Sequence, residues 1–209
     1  MSDEVLFIGT NNNSYRFTHL VTMGLVPTWK TTSQVVAGDL VGKSLVVVDN
    51  SISSSNLQSF TINELLGWSG GVIMNEAALL DELNMSAGTS FPSQVGDPEF
   101  TLLRSHPITD AFGFTGIGDY RFHNNSQTSR GIPVADAGNS ANWLMSQPGA
   151  QNIGEATSIF MSFYEPGDSL PGGGTAAGRR LLFPLQGSGT GGEILNLYKV
   201  CVNWTRGTI

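Results

Sequence analysis

The sequence predicts an α/β fold built on an open, mostly parallel sheet. Three observations predict it. Continuous apolar runs at residues 5–9, 44–49 and 71–74 have the length and composition of strands buried on both faces. Segments with apolar residues at helical spacing follow these runs. Alternating strands and helices of this kind are typical of right-handed crossovers around a parallel sheet.

The first β-α unit is predicted at residues 5–24. The apolar run VLFIG at 5–9 is followed by the polar turn TNNN at 10–13. Asn13 or Ser14 can cap a helix whose apolar residues lead to Gly24, a residue type that favours a helix end. A second extended stretch is expected at residues 31–36.

The middle of the chain repeats this pattern. The run SLVVVD at 44–49 is the strongest strand pattern in the sequence. A helix is expected from about residue 55 to residue 68, where two glycines end it before the strand GVIM at 71–74. A further helix is expected at residues 76–83.

The amino-acid composition changes after residue 86. From there to about residue 154 it is rich in Gly, Pro, Asn and Ser, which indicates long loops and short strands. Strands are expected again at residues 157–164 and 179–185, and a last helix from residue 193 to about 205. We therefore expect a single α/β domain over residues 1–209 with an irregular elaboration at about 86–154.

Charge and hydropathy restrict the classes of partner. The net charge is −7, charged residues make up 13% of the chain, and only three lysines occur. Nucleic acid is therefore not expected as a partner, because phosphate binding needs clustered Lys and Arg. No run approaches the roughly 20 apolar residues of a membrane span. The acidic start MSDE is unlike a secretory signal, so we expect cytoplasmic synthesis without secretion or membrane insertion.

Metal and cofactor motifs are weak. A single cysteine, Cys201, excludes an internal disulfide and a cysteine-based zinc site. The three histidines are far apart and lack ligand spacing. The glycines at 187–192 match a dinucleotide-binding pattern, but the chain ends before the strand and acidic residue that such a site needs. We therefore expect no cofactor and no metal.

The order of the motifs resembles the class I glutamine amidotransferase-like superfamily, and within it the trehalose-utilisation-like domains. The motifs that carry the resemblance are the strands at 5–9 and 45–49, LG and GGVIM at 66–74, SHPIT at 105–109, GRRLLFPL at 178–185 and VNW at 202–204. The resemblance implies a flavodoxin-like three-layer sandwich.

Active members of that superfamily carry a Gly-x-Cys-x-Gly elbow after the central strand, and a histidine with a nearby glutamate before the last helix. Here the corresponding segments read MNEA at 74–77 and GSGTGGE at 187–193. Both the nucleophile and the base that would activate it are missing, which excludes glutaminase chemistry. We therefore predict no catalytic residues of that kind.

A ligand site in such a sheet lies beyond the carboxyl ends of the strands, where the strand order reverses. Polar residues follow several of the predicted strands and share this rim. The candidate ligand-binding residues are Thr10, Asn11, Asp49, Asn50, Asn75, Glu76 and His106.

The missing nucleophile, the low charge and the neutral polar segment favour a non-catalytic structural or binding subunit. Its partners would be copies of itself or other protein subunits, for example in a phage virion as a capsid or tail accessory protein. One alternative is a hydrolase that uses Asp49, Glu76 or His106 at the rim.

A second alternative is a small-ligand or carbohydrate-binding protein. Exposed tryptophan rings are common sugar platforms, and the candidates are Trp29, Trp68 and Trp143. Single tryptophans are also common in protein cores.

Overall fold

The computed structural model describes residues 2–52, 57–96, 99–111, 113, 116–121, 127–183, 185–186 and 192–209. The α-helices in this part of the chain are α1 (Tyr15–Thr22), α2 (Ser59–Gly67), α3 (Pro107–Asp110) and α4 (Gly192–Arg206). The strands are β1 (Glu4–Ile8), β2 (Val26–Lys30), β3 (Leu45–Val48), β4 (Gly71–Met74), β5 (Ser93–Gly96), β6 (Glu99–Leu102), β7 (Gly118–Arg121), β8 (Gln127–Arg130), β9 (Ile132–Pro133), β10 (Trp143–Ser146), β11 (Ser158–Tyr164), β12 (Arg180–Leu182) and β13 (Leu185–Gln186).

The main sheet has the strand order β2-β1-β3-β4-β12-β11-β10-β6-β7, and β9 also pairs with β11. The five strands from β2 to β12 are parallel. Their order is the flavodoxin-like one, in which the second strand lies outside the first. The remaining strands of the main sheet are antiparallel. A second sheet has the order β13-β8-β5. The predicted flavodoxin-like α/β fold is therefore confirmed, with an antiparallel extension.

Alternate residues of β1 enter two separate cores, which gives the sandwich its three layers. Leu6 and Ile8 pack on the same side as Leu65 of α2. Val5 and Phe7 pack on the other side, together with residues of α1 and α4. This alternation is the period of a strand covered on both faces, as the run at residues 5–9 predicted.

The first helix matches its prediction closely. Ser14 Oγ accepts a hydrogen bond from the Phe17 N–H at 3.2 Å and caps α1. Gly24 follows the helix with φ of +79°, a conformation that favours glycine.

The extended stretch expected at residues 31–36 is wrong. The strand is β2, and Thr32–Gln34 forms a turn of 3₁₀-helix. The sequence VPTWK of β2 contains Pro and Lys and alternates between exposed and partly buried residues. It lacks the continuous apolar run that marks the inner strands, because it lies at the edge of the sheet.

The helix expected at residues 76–83 is also wrong. Only Ala77–Leu79 forms a short 3₁₀-helix, and turns follow. Leu79, Leu80 and Leu83 are buried, so the segment packs as a compact turn without the polar face of a helix. The helix expected from residue 55 begins at residue 59 in α2, and residues 53–56 lie outside the described part of the chain.

The region from 86 to 154 contains short strands and loops, as predicted. Two of its strands, β6 and β10, extend the main sheet and bury Phe100 and Leu144. That residues 1–209 form a single domain stays a prediction. In the part of the chain that the structure describes, every helix is too short or too polar to cross a membrane.

The outer edge of β2 is poor in hydrogen-bond donors. The Val26 N–H donates to the Asp3 carbonyl at 2.9 Å, and the Lys30 carbonyl accepts from the Gly9 N–H at 3.0 Å. In a parallel strand, the backbone groups of alternate residues form hydrogen bonds to opposite sides. The backbone groups of Pro27 and Trp29 therefore face the open side of β2. Pro27 has no N–H, which weakens this edge as a template for another strand.

Candidate functional site

A pocket of about 900 Å³ lies at the carboxyl edge of the sheet, beyond the ends of β1 and β3. The strand order reverses at this point, which is where doubly wound folds place their ligands. The lining comes from the β1–α1 turn, α1, the turn after β3 and the start of α4. The lining residues are Asn11, Asn13, Ser14, Tyr15, Arg16, Thr18, His19, Thr22, Asp49, Asn50, Ser51 and Leu195.

A buried ion pair forms one wall of the pocket. Arg16 and Asp49 are each 1% exposed, and Arg16 Nη1 lies 2.8 Å from Asp49 Oδ1. The same nitrogen donates to Asn50 Oδ1 at 2.5 Å. Arg16 is in the first turn of α1, where the helix dipole disfavours a cation. The Asp49 carboxylate at the end of β3 offsets that penalty and holds the guanidinium in place.

Three buried polar atoms around this pair have no hydrogen-bond partner among the described residues. They are Asp49 Oδ2, Tyr15 Oη and Tyr198 Oη. Tyr198 belongs to α4 and is completely buried. An unsatisfied buried polar atom typically costs about 1–3 kcal/mol, so a cluster of them is uncommon in a purely structural core. A bound ligand or an ordered water would satisfy them.

The protonation states make the pocket rich in neutral donors. Burial raises the pKa of Tyr15, and it raises the pKa of Tyr198 well above its usual value. Both hydroxyls therefore keep their protons at neutral pH and can donate. Burial also lowers the pKa of His19, which favours a neutral imidazole in the wall.

The structure brings three of the predicted rim residues into this pocket. Asn11, Asp49 and Asn50 all line it. Thr10 lies beside it, with an exposed side chain and a backbone N–H that donates to Ser51 Oγ at 3.1 Å.

Asn75 and Glu76 lie one strand further along the same edge, outside the pocket lining. Both are buried, and the Asn75 N–H extends the β3–β4 ladder by donating to the Val48 carbonyl at 2.8 Å. Arg130 of β8 forms an ion pair with Glu76 at 3.5 Å. The elaboration at residues 86–154 therefore covers the position where an elbow nucleophile would stand.

His106 lies at the opposite edge of the sheet. It caps α3, and its ring packs 4.2 Å from Phe163 and 5.1 Å from Trp204 between ring centroids. Helix α4 starts at the pocket, where Leu195 contributes to the lining. Trp204 is near the other end of this helix, next to Thr205, which contacts Gly71 at the amino end of β4. The hydrolase alternative requires His106 at the rim. The structure places it at the other edge of the sheet.

Burial around His106 lowers its pKa to about 4, so the ring is neutral at physiological pH. His123 and the glycines at 187–191 lie outside the described residues. In the part of the chain that is described, no group of three or more His, Cys, Asp and Glu residues could hold a metal ion.

Sequence reasoning missed Tyr15, Arg16 and Tyr198. All three fit an ordinary helical pattern, so their residue types alone did not indicate a binding site. One signal was present: an arginine in the first turn of a helix needs a nearby anion, and Asp49 ends a neighbouring strand. The three candidate tryptophans do not line the pocket. Trp29 and Trp143 donate their indole N–H groups to carbonyls within the protein.

No protein-family model matches the sequence, and no curated protein sequence matches it. Solved structures do match. PurLQS from Thermotoga maritima superposes with a TM-score of 0.56 at 10% identity, over 98% of this chain and 99% of that chain. A ThuA-like protein from Bacteroides uniformis gives 0.56 at 9% identity, over 97% and 90%.

Agd3, described as a novel carbohydrate deacetylase, gives a TM-score of 0.62 at 11% identity. The match covers 98% of this chain but only 32% of the Agd3 chain, so this chain spans about a third of the length of Agd3. Identities this low show the fold alone. The chain therefore shares the flavodoxin-like α/β fold of these proteins.

Proposed function

We propose that this chain is a non-catalytic carbohydrate-binding domain whose ligand occupies the pocket beyond β1 and β3. One observation carries the proposal: Asp49 Oδ2 and Tyr15 Oη, on two residues that line the pocket, and Tyr198 Oη, on a buried residue outside the lining, have no hydrogen-bond partner among the described residues. Groups of this kind suit a ligand with several hydroxyls, since each hydroxyl can donate one hydrogen bond and accept others.

The size and lining of the pocket support a sugar ligand. About 900 Å³ is within the usual range for small-molecule sites. Seven of the twelve described lining residues are Ser, Thr or Asn, and Tyr15 supplies an aromatic ring. An aromatic ring offers an apolar surface for the C–H face of a sugar, while the surrounding polar groups hold its hydroxyls.

The likeness to Agd3 supports the same ligand class. In that protein a region of this fold forms about a third of a chain described as a carbohydrate deacetylase. A domain of this kind would hold a sugar while chemistry takes place elsewhere in an assembly. The covered position at Asn75 and Glu76, and the absence of a histidine from residues 187–193, support binding without catalysis.

The test is an NMR titration of the ¹⁵N-labelled chain with glucose, galactose, mannose, N-acetylglucosamine and N-acetylgalactosamine. We expect at least one sugar to give saturable shifts at residues 11–22 and 49–51. Thr18→Trp places a bulky ring at an exposed position of the lining and should abolish the shifts.

Asn63→Trp is the matched control, because Asn63 is an exposed position on α2, away from the pocket. It should leave the titration unchanged. If none of the five sugars gives saturable shifts, or if Thr18→Trp leaves them intact, the proposed function is wrong.

A structural subunit is the second candidate, and exposed apolar residues favour it. Val26, Val36 and Val41 are 52%, 54% and 81% exposed near the β2 edge of the sheet. Such residues suit association through side chains. A phage virion as the setting rests on composition. The native mass over a concentration series tests this candidate, and a strict monomer at all concentrations would count against it.

A further inference from the structure

We propose that the pocket selects uncharged sugars and rejects acidic ones, and that Asp49 determines this specificity. The selectivity rests on the proposed function and narrows its ligand class. It follows from the charges and hydrogen-bonding capacities of the lining residues.

The formal charges of the pocket balance internally. Among the described residues of the lining, Arg16 and Asp49 are the only Arg, Lys, Asp or Glu residues, and they pair with each other at 2.8 Å. Arg16 also donates to Asn50. The guanidinium is therefore already engaged. A carboxylate or phosphate on the ligand would meet no uncompensated cation among the lining residues that the structure describes.

The remaining acceptor also disfavours an anion. Asp49 Oδ2 carries part of the carboxylate charge and has no hydrogen-bond partner among the described residues. It can only accept, so a ligand group that contacts it must offer an O–H or N–H. An anionic ligand group would place like charges together in a region that water screens poorly, which is unfavourable.

The tyrosine hydroxyls complement that acceptor. Tyr15 of the lining and Tyr198, a buried residue outside it, both have unpartnered Oη atoms close enough to Arg16 and Asp49 for those charges to act on their pKa values, and both hydroxyls can donate. A sugar hydroxyl can accept from a tyrosine while donating to Asp49. A carboxylate or phosphate can accept from tyrosine but has no hydrogen to offer Asp49 in its ionised form.

The experiment measures dissociation constants for matched pairs of probes by NMR titration. The pairs are glucose with glucuronate, galactose with galacturonate, and glucose with glucose 6-phosphate. In the wild-type chain we expect the neutral sugar of a pair to have a dissociation constant at least about tenfold lower than that of its charged partner, for every pair whose neutral sugar binds. Equal or tighter binding of the charged member would overturn the selectivity while leaving sugar binding established.

Asp49→Asn gives the sharpest result, because it leaves the charge of Arg16 uncompensated. The preference should shift toward the acidic probe by about tenfold or more. Asp39→Asn is the matched control, since Asp39 is also ion-paired, to Lys30, but does not line the pocket. It should leave the ratio unchanged. An unchanged ratio in Asp49→Asn would refute the role of Asp49.

Asp49→Asn could lower the yield of folded protein by unbalancing a buried pair. The double variant Arg16→Met/Asp49→Leu removes both charges and avoids that penalty. If it retains weak sugar binding, its ratio should lie near one. A ratio like that of the wild type would refute the charge argument. Failure of every neutral sugar in the wild type refutes the proposed function itself, so the two failures are distinguishable.

Discussion

The two edges of the parallel sheet each bury an arginine, and the surroundings of the two differ. At the amino edge, Arg180 is 3% exposed, and its two terminal nitrogens donate to four carbonyl groups. At the carboxyl edge, Arg16 pairs with Asp49 beside three polar atoms that have no partner among the described residues. Complete hydrogen bonding marks the amino edge as a stabilising element. The incomplete hydrogen bonding at the carboxyl edge is the observation on which the proposed sugar site rests.

Burial lowers the pKa of Arg180 to about 10, which still leaves it charged at neutral pH. It ties the end of α2 to the start of β12, since its carbonyl partners belong to Leu65, Trp68, Gly70 and Arg179. Arg180 thereby adds a donor to the Leu65 carbonyl in the last turn of α2 and satisfies the Trp68 carbonyl that follows the helix. The first prediction breaks this element.

Arg180→Met should cause the largest loss of stability. The Leu65 and Arg179 carbonyls keep backbone donors, but those of Trp68 and Gly70 lose the hydrogen bond from Arg180, so we expect the free energy of unfolding to fall by about 4 kcal/mol. Denaturation in urea measures the change. Arg121→Met is the control, because Arg121 is 55% exposed, and it should change stability by less than about 0.5 kcal/mol. A loss below about 1 kcal/mol for Arg180→Met would contradict the stabilising role.

Arg16→Met should be the next most damaging change. It strands the buried Asp49 carboxylate, and breaking a buried pair of this kind typically costs about 3 kcal/mol or more. The double variant Arg16→Met/Asp49→Leu should recover most of the stability but not the affinity for sugar. Denaturation and NMR titration of the same samples separate the two effects. A double variant as unstable as the single would show that the ion pair is not the cause.

The amino edge should also respond to acid through His106. Its pKa is about 4 in the folded protein, against 6.5 for an ordinary histidine. Burial is the main cause; Asp110 opposes the shift, and Arg179 and Arg104 add to it. As the pH falls from about 6.5 to about 4, the unfolded chain takes up this proton first. The free energy of unfolding should therefore fall by about 2 kcal/mol over that range.

His106→Asn removes the titrating group and keeps a good residue for capping α3. Denaturation curves at pH 7, 5.5 and 4 should show a smaller loss in the variant than in the wild type, by about the amount that His106 contributes. Parallel profiles for the two proteins would mean that His106 does not control acid stability.

Tyr15→Phe should have the smallest effect on stability. The hydroxyl has no partner among the described residues, so its removal should change the free energy of unfolding by less than about 1 kcal/mol. Sugar affinity should nevertheless fall. Tyr164→Phe removes another buried hydroxyl, outside the pocket, and should leave sugar affinity unchanged. Equal sugar affinities in both variants would remove Tyr15 from the binding site.

The strands that the sequence predicts best are those whose apolar runs are continuous. Residues 45–48 and 71–74 lie in the centre of the parallel half, where both faces are covered, so local composition was sufficient. β2 was missed because an edge strand lacks that pattern. The antiparallel half was missed as a sheet because β6 and β10 pair across 40 or more residues, and short apolar pieces do not specify their partners.

The site was predictable to the extent that strand order defines it. Asn11, Asp49 and Asn50 follow strands on either side of the switch point, so topology alone placed them together. Tyr198 was not predictable, because only the packing of α4 against the sheet brings it to a strand that ends about 150 residues earlier. His106 was misplaced because a polar residue before a short helix can lie at either edge.

Pro27 limits how another strand can pair with the open side of β2. A strand arriving at the open side of β2 would find no N–H at Pro27, so the ladder would lack one hydrogen bond there. This end of the sheet is therefore a poor template for cross-β stacking. Exposed side chains such as Val26 and Val41 offer the better route to association at this edge.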